Sequence, residues 1–164
     1  APTDVDERIC SGESPKDYAE RLALDKARAA ASRVRTGIVI AADTIVVAGC
    51  SVFGKPTDAE DARRMLTELS GREHEVVTGL AVVDAASGRL SVRTSVTKVI
   101  FRTLSEREID AYIATREPLD KAGAYGIQER GALLVERIEG CYSNVVGLPL
   151  SLLGEMLREF GIAL

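Results

Sequence analysis

The apolar positions along the chain change period several times, and each change marks an element. Between residues 16 and 34, Ala19, Leu22, Ala23, Ala27 and Ala30 fall on one stripe at helical spacing. Ser14 and Pro15 stand just before it, a capping hydroxyl and a ring whose fixed φ suits the first helical position. Residues 39–47, VIAADTIVV, form a nearly continuous apolar block rich in β-branched side chains. That block predicts a buried strand, or two strands meeting at a corner. A loop carrying Gly54-Lys55-Pro56 follows. Thr57 and Glu60 then make a capping-box pattern ahead of Ala62, Met65, Leu66 and Leu69, and Gly71 ends that helix.

Residues 75–84 and 90–101 read as two strands joined by a turn at 85–89, a long hairpin. Ser105 and Glu108 repeat the capping box before Ile109, Tyr112 and Ile113, and Pro118 closes that element. The stretch DKAGAYGIQERG at 120–131 is too irregular in polarity for a helix. Residues 132–138 are strand-like and 140–149 form a small, polar bend. Pro149 opens a last helix with Leu150, Leu153, Leu157 and Phe160 inward, stopped by Gly161. Helices and strands alternate without repeat, linker or low-complexity tract. The fold class is therefore α/β, one domain with a mixed, twisted sheet and flanking helices.

Composition narrows the partners. A formal net charge of −4 argues against a general polyanion-binding surface, so no nucleic acid is expected, while a local cationic pocket remains open. No apolar run approaches the roughly 20 residues that span a bilayer, and the start APTDVDE lacks signal-peptide character, so no membrane is expected. Cys10, Cys50 and Cys141 are widely spaced and outside any C-x-x-C pair, against a zinc or disulfide framework and in keeping with a reducing cytoplasm. The single histidine, His74, has no second His or Cys at metal-ligand spacing and no triad partner, and it reads as structural.

Five places carry polar groups that packing alone does not demand. Asp43 sits inside VIAADTIVV. Burying a carboxylate there costs on the order of several kcal/mol unless a metal, a cation or hydrogen-bond donors compensate it; the bland alternative is an Asp-Thr turn that satisfies its own backbone. Lys55 lies in a tight Gly/Pro-flanked loop and Lys26 on the edge of an apolar helical stripe; taken singly, Lys55 reads first as a solvated loop lysine and Lys26 as a snorkelling one. Asp4, Asp6 and Glu7 are an acidic cluster or merely a charged terminus. Residues 120–128 combine small residues, which let a ligand approach the backbone, with Asp120, Lys121 and Gln128; the alternative is an ordinary turn-rich loop.

Acids and scattered lysines without histidine chemistry suit one reaction type. Carboxylates hold a hard divalent cation, lysines neutralise phosphate oxygens, and an acid near the metal orients or deprotonates water. Phosphoryl-type substitution on a nucleotide fits that inventory, although neither a P-loop nor a G-x-G-x-x-G pattern occurs.

The order of motifs resembles the Maf family of nucleoside triphosphate pyrophosphatases. The resemblance runs through D-V-D-E, G-E-S-P…Y…R-L-A…K-A, A-D-T, G-K-P, L-S-G-R-E-H-E-V-V-T-G, E-P-L-D-K-A-G-A-Y-G-I-Q and Y-S-N-V-V-G-L-P-L, nearly the whole chain. It implies a fold related to the inosine-triphosphate pyrophosphatases, with two lobes around a cleft. It also implies hydrolysis of a nucleoside triphosphate between its α- and β-phosphates with a divalent cation, Mg²⁺ or Mn²⁺.

Carried onto this sequence, the resemblance makes Asp43 the catalytic acid acting on water and, with Glu7, a metal ligand. Lys26 and Lys55 would surround the phosphates, Asp120 and Lys121 would line the same cleft, and Thr44 and Gln128 would help choose the base. The Y-G-I-Q form looks like the branch preferring dTTP and UTP over 7-methyl-GTP, with modified pyrimidine nucleotides also admitted. A homodimer is implied as well.

Two departures stand out. The S-x-S-P-R-R loop, whose arginines grip the phosphates in the family, does not precede Asp4, so an N-terminal strand and phosphate loop are expected to be missing from the domain spanning 1–164. Arg116 stands where the family commonly has Gly. The alternative to an enzyme is a non-catalytic nucleotide-binding regulator linked to septum formation or division arrest.

Overall fold

The computed structural model describes Arg8, Cys10 and residues 12–163. Helix α1, Pro15–Ala31, begins where Ser14 Oγ accepts the Asp17 amide and Pro15 takes the first helical position. Its buried stripe is Tyr18, Ala19, Leu22, Ala23 and Ala27. The helix stops at Ala31, short of Val34, because Arg33 and Val34 turn back onto the carbonyls of Ala30 and Ala31 and Val34 lies exposed.

Strand β1, Ile38–Ala48, is continuous, without the corner considered above. It folds through Gly49-Cys50 into β2, Ser51–Phe53, a short antiparallel partner that the apolar pattern alone does not reveal. Helix α2, Ala59–Leu69, buries Ala62, Met65, Leu66 and Leu69. Its cap falls one residue later than the capping-box pattern suggests: Asp58 Oδ1 accepts the Asp61 amide, and Asp61 in turn accepts the Thr57 amide. An aspartate caps as well as a threonine, and its position fits the turn.

Strands β3, Glu73–Asp84, and β4, Leu90–Phe101, form the expected long hairpin. Helix α3, Glu106–Ala114, carries a complete capping box between Ser105 and Glu108. Short 3-10 segments at Glu117–Asp120, Ala122–Ala124 and Arg130–Leu134 make up the irregular stretch. Strand β5, Val135–Glu139, helix α4, Tyr142–Val146, and helix α5, Leu150–Glu159, are the last elements among the described residues. In α5 the inward residues are Gly154, Met156 and Leu157, whereas Leu150, expected inward, is exposed because it opens the helix beyond the sheet. No helix of the described residues is long and apolar enough to cross a membrane.

Among the described residues the sheet has five strands in the order β2-β1-β3-β4-β5, and every pairing is antiparallel, where a mixed sheet was expected. The reason lies in the connection through α2. It joins β2 to β3, and these run parallel because each is antiparallel to β1, which lies between them. At α2 a helix therefore links parallel strands that are not neighbours, whereas the α3 connection joins β4 to β5, which are antiparallel neighbours.

Alternation along β3 sends Val77, Ala81 and Val83 to α1. Val76 goes to the core shared with α2 and α3, and Leu80 and Val82 to α5. At Gly79 the helix comes closest to the sheet: a β-carbon there would lie 2.1 Å from the Ala19 carbonyl oxygen. Only glycine permits that approach, and it lowers α1 onto β1 and β3 beside Asp43, the register partner of Gly79.

Candidate active site

Asp43 and Gly79 share the α1 face of the sheet, and Lys26 projects from α1 to meet the carboxylate there. Lys26 Nζ lies 2.5 Å from Asp43 Oδ1, and both side chains are more than three-quarters covered. The aspartate is thus neither in a turn nor in an apolar interior; a cation balances its charge within a regular strand.

Thr44 follows on the opposite face of β1, with Ala42 and Val46. Beyond it, residues 54–56 and 120–128 form the facing wall; one contact ties the two segments together and another seats them on β1. The Gly123 amide donates to the Gly54 carbonyl at 3.0 Å. Gly123 takes φ +68°, and a β-carbon there would meet the Val46 side chain at 2.7 Å, so this backbone packs directly on β1. Lys55 and Lys121 are carried on that wall. Lys121 Nζ donates to Asp120 Oδ1 at 2.5 Å. This bond, reinforced by the Lys55 charge, holds the Asp120 carboxyl below the usual carboxylate range.

The result is a cleft of about 330 Å³, at the lower end of the range for small-ligand sites. Lys26, Asp43, Thr44, Lys55, Asp120, Lys121 and Gln128 all line it. Glu7 lies outside the described residues. The arrangement sets lysine ammonium groups around a carboxylate, a chemistry that receives phosphate oxygens and positions water. Among the described residues no three His, Cys, Asp or Glu side chains gather as a metal site.

Other lining residues were not singled out from the sequence. Glu117 organises the facing loop: its carboxylate accepts the Tyr112 hydroxyl at 2.9 Å and the amides of Gly131 and Arg130 at 3.0 and 3.1 Å. Its signal was no more than an acid before a proline. Arg116, just before it, adopts φ +65°, the left-handed conformation natural to glycine.

Tyr125 lines the cleft wall and, from behind, is bonded to His74, whose Nε2 lies 2.8 Å from the Tyr125 hydroxyl. Phe101 packs edge-on against both rings. Burial pushes the His74 imidazole down to about 4 and raises the Tyr125 phenol, so both are neutral near pH 7. The histidine supports the cleft without entering it.

The family model described as "Maf-like protein" matches residues 1–160. A dTTP/UTP pyrophosphatase of Geobacter sulfurreducens is 52% identical over 159 residues, covering 97% of this chain and 83% of the relative. One from Syntrophomonas wolfei is 49% identical over 160 residues, 98% of this chain and 85% of the relative. A third, from Clostridioides difficile, is 47% identical over 157 residues, 96% of this chain and 81% of the relative.

Proposed function

The chain belongs to the Maf family, and from that premise we propose that it is a nucleoside triphosphate pyrophosphatase. It hydrolyses dTTP and UTP between the α- and β-phosphates, giving the monophosphate and pyrophosphate. The observation that carries this reading is the Asp43–Lys26 pair in the wall of a cleft that Lys55, Lys121, Thr44 and Gln128 also line. The names of its relatives favour an enzyme over the non-catalytic nucleotide-binding regulator.

In this reading the triphosphate enters between β1 and the facing loop. Lys26, Lys55 and Lys121 receive its oxygens and stabilise the charge that develops on the leaving pyrophosphate. Asp43 takes a proton from water as the water oxygen bonds to the α-phosphorus and the bond to the α–β bridging oxygen breaks. Thr44 and Gln128 face the base.

The donor set suits a hard cation in one respect: Asp43 offers carboxylate oxygen to a cleft built for phosphates, and Mg²⁺ is commonly held by one or two carboxylates together with substrate phosphates. Asp43, with Glu7 as a second carboxylate, would hold Mg²⁺ or Mn²⁺. Such an ion supplies charge neutralisation for the phosphates and acidifies water. A cytoplasmic setting and a homodimer complete the proposal; the cysteines Cys10, Cys50 and Cys141, all free thiols, agree with a reducing compartment.

The test is pyrophosphate release over dTTP, UTP, CTP, ATP, GTP and 7-methyl-GTP, each with Mg²⁺ or Mn²⁺. The reading expects dTTP and UTP to be turned over best. Binding of triphosphates without any turnover favours the regulator instead.

A further inference from the structure

Behind Thr44 lies a buried chain of hydroxyl and amide groups whose donors and acceptors can be counted. Asn144, on α4, is fully buried, and its Nδ2 donates to the Val76 carbonyl and to Thr97 Oγ1, each at 3.0 Å. Because a carbonyl only accepts, this contact fixes which way the amide faces. Thr97 Oγ1 also accepts the Cys141 amide at 3.0 Å, so its own proton goes to the Cys141 carbonyl at 3.1 Å. These bonds fasten the strap carrying α4 to the sheet.

The strap in turn brings the Asn144 carbonyl 3.3 Å from Thr78 Oγ1, and Thr78 Oγ1 lies 2.9 Å from Thr44 Oγ1. A hydroxyl has one proton to give. Thr78 is fully buried, and only one direction of the chain lets it both give and receive: Thr44 donates to Thr78, and Thr78 donates to the Asn144 carbonyl. In the reverse direction the buried Thr78 oxygen would accept nothing. Thr44 therefore spends its proton inward and presents only lone pairs to the cleft. Gly147 leaves that side open, since the nearest atom to a β-carbon there would be Thr44 Oγ1 at 3.6 Å.

We infer that Thr78 is a positioning residue that locks the Thr44 hydroxyl as an acceptor, selecting bases that bring an imide N–H, uracil and thymine, over cytosine. The inference rests on the pyrimidine pyrophosphatase reading above. Uracil and thymine carry hydrogen at N3, which Thr44 accepts. Cytosine carries a lone pair at that ring position, and two acceptors then face one another in a site that cannot turn its hydroxyl round. A site whose hydrogen-bonding groups are fixed rejects a mismatched partner better than one that can rotate to suit it.

The experiment compares kcat/KM for UTP and CTP in the unaltered chain, in Thr78→Val and in Thr78→Ser. Valine keeps the volume but removes the acceptor of the Thr44 proton, so the UTP:CTP ratio falls by about ten-fold, mainly through KM. Serine keeps the hydroxyl and keeps the ratio. A Thr78→Val protein that loses activity equally towards both nucleotides overturns the inference and makes Thr78 merely structural. If valine prevents folding, 3-methyl-UTP supplied to the unaltered chain decides: turnover as good as that of UTP overturns the inference, and a loss of about ten-fold or more supports it. An unaltered chain that hydrolyses UTP and CTP equally well overturns the inference alone and leaves the pyrophosphatase reading standing. Failure to hydrolyse either nucleotide refutes that reading, and the inference with it.

Discussion

Lys26 Nζ and Asp43 Oδ1 stand 2.5 Å apart, an ion pair that joins α1 to β1 at the wall of the cleft. Replacing the lysine by methionine keeps most of its apolar stem and removes only the charged end. Lys26→Met is expected to lower kcat/KM for UTP by about a hundred-fold, the loss typical of removing one preorganised group from a charge-stabilising site. Steady-state pyrophosphate release, with circular dichroism as the check on folding, measures it.

The pair exists because α1 lies unusually close to the sheet at Gly79. A methyl group at that position would sit 2.1 Å from the Ala19 carbonyl oxygen, backbone that has no free rotamer to retreat into. Gly79→Ala should therefore cost about 3 kcal/mol or more by overpacking. It should also separate Lys26 from Asp43, the register partner of Gly79. Urea denaturation together with the activity assay reads both effects.

His74 gives the fold a pH dependence of its own. Burial lowers its imidazole from 6.5 to about 4. Between those values the unfolded chain binds a proton that the folded chain refuses, so stability decreases as the pH falls through this window and this contribution levels off below it. The loss amounts to about 3 kcal/mol at most, from the usual 1.36 kcal/mol per unit. Denaturation midpoints at several pH values should show the decline, and His74→Gln should flatten it.

Arg116 holds φ +65° without being glycine. Relief of left-handed strain, about 1–2 kcal/mol, exceeds the extra chain entropy of glycine in the unfolded state. Arg116→Gly is thus expected to stabilise the protein by about 0.5–1 kcal/mol. Thermal unfolding tests this, and turnover should be unchanged.

Elements whose signals are local were legible from residues alone. Ser14-Pro15 and the Ser105/Glu108 box start helices where the structure has them, and residues 90–101 form a strand with the expected bounds. Asp43 and Lys26 each looked ambiguous because the contact that explains them spans the packing of α1 on β1 and depends on Gly79. Strand β2 is not legible in the sequence because its three residues carry too little periodicity. Glu117 is not legible for a different reason: its bonds to Gly131 and Arg130 are set by how a loop returns, which no spacing along the chain encodes. The direction of the sheet likewise follows from which strand inserts between β2 and β3, a property of the tertiary assembly.

The most direct measurement sets substrate binding against turnover in Asp43→Asn. The amide keeps the size of the side chain and cannot take the proton from water. Calorimetric titration should show UTP bound within a few-fold of the unaltered affinity, while pyrophosphate release falls by about a thousand-fold. Release at the unaltered rate would contradict the assignment of Asp43 as the group that activates water, and with it the account of this cleft as a site of hydrolysis.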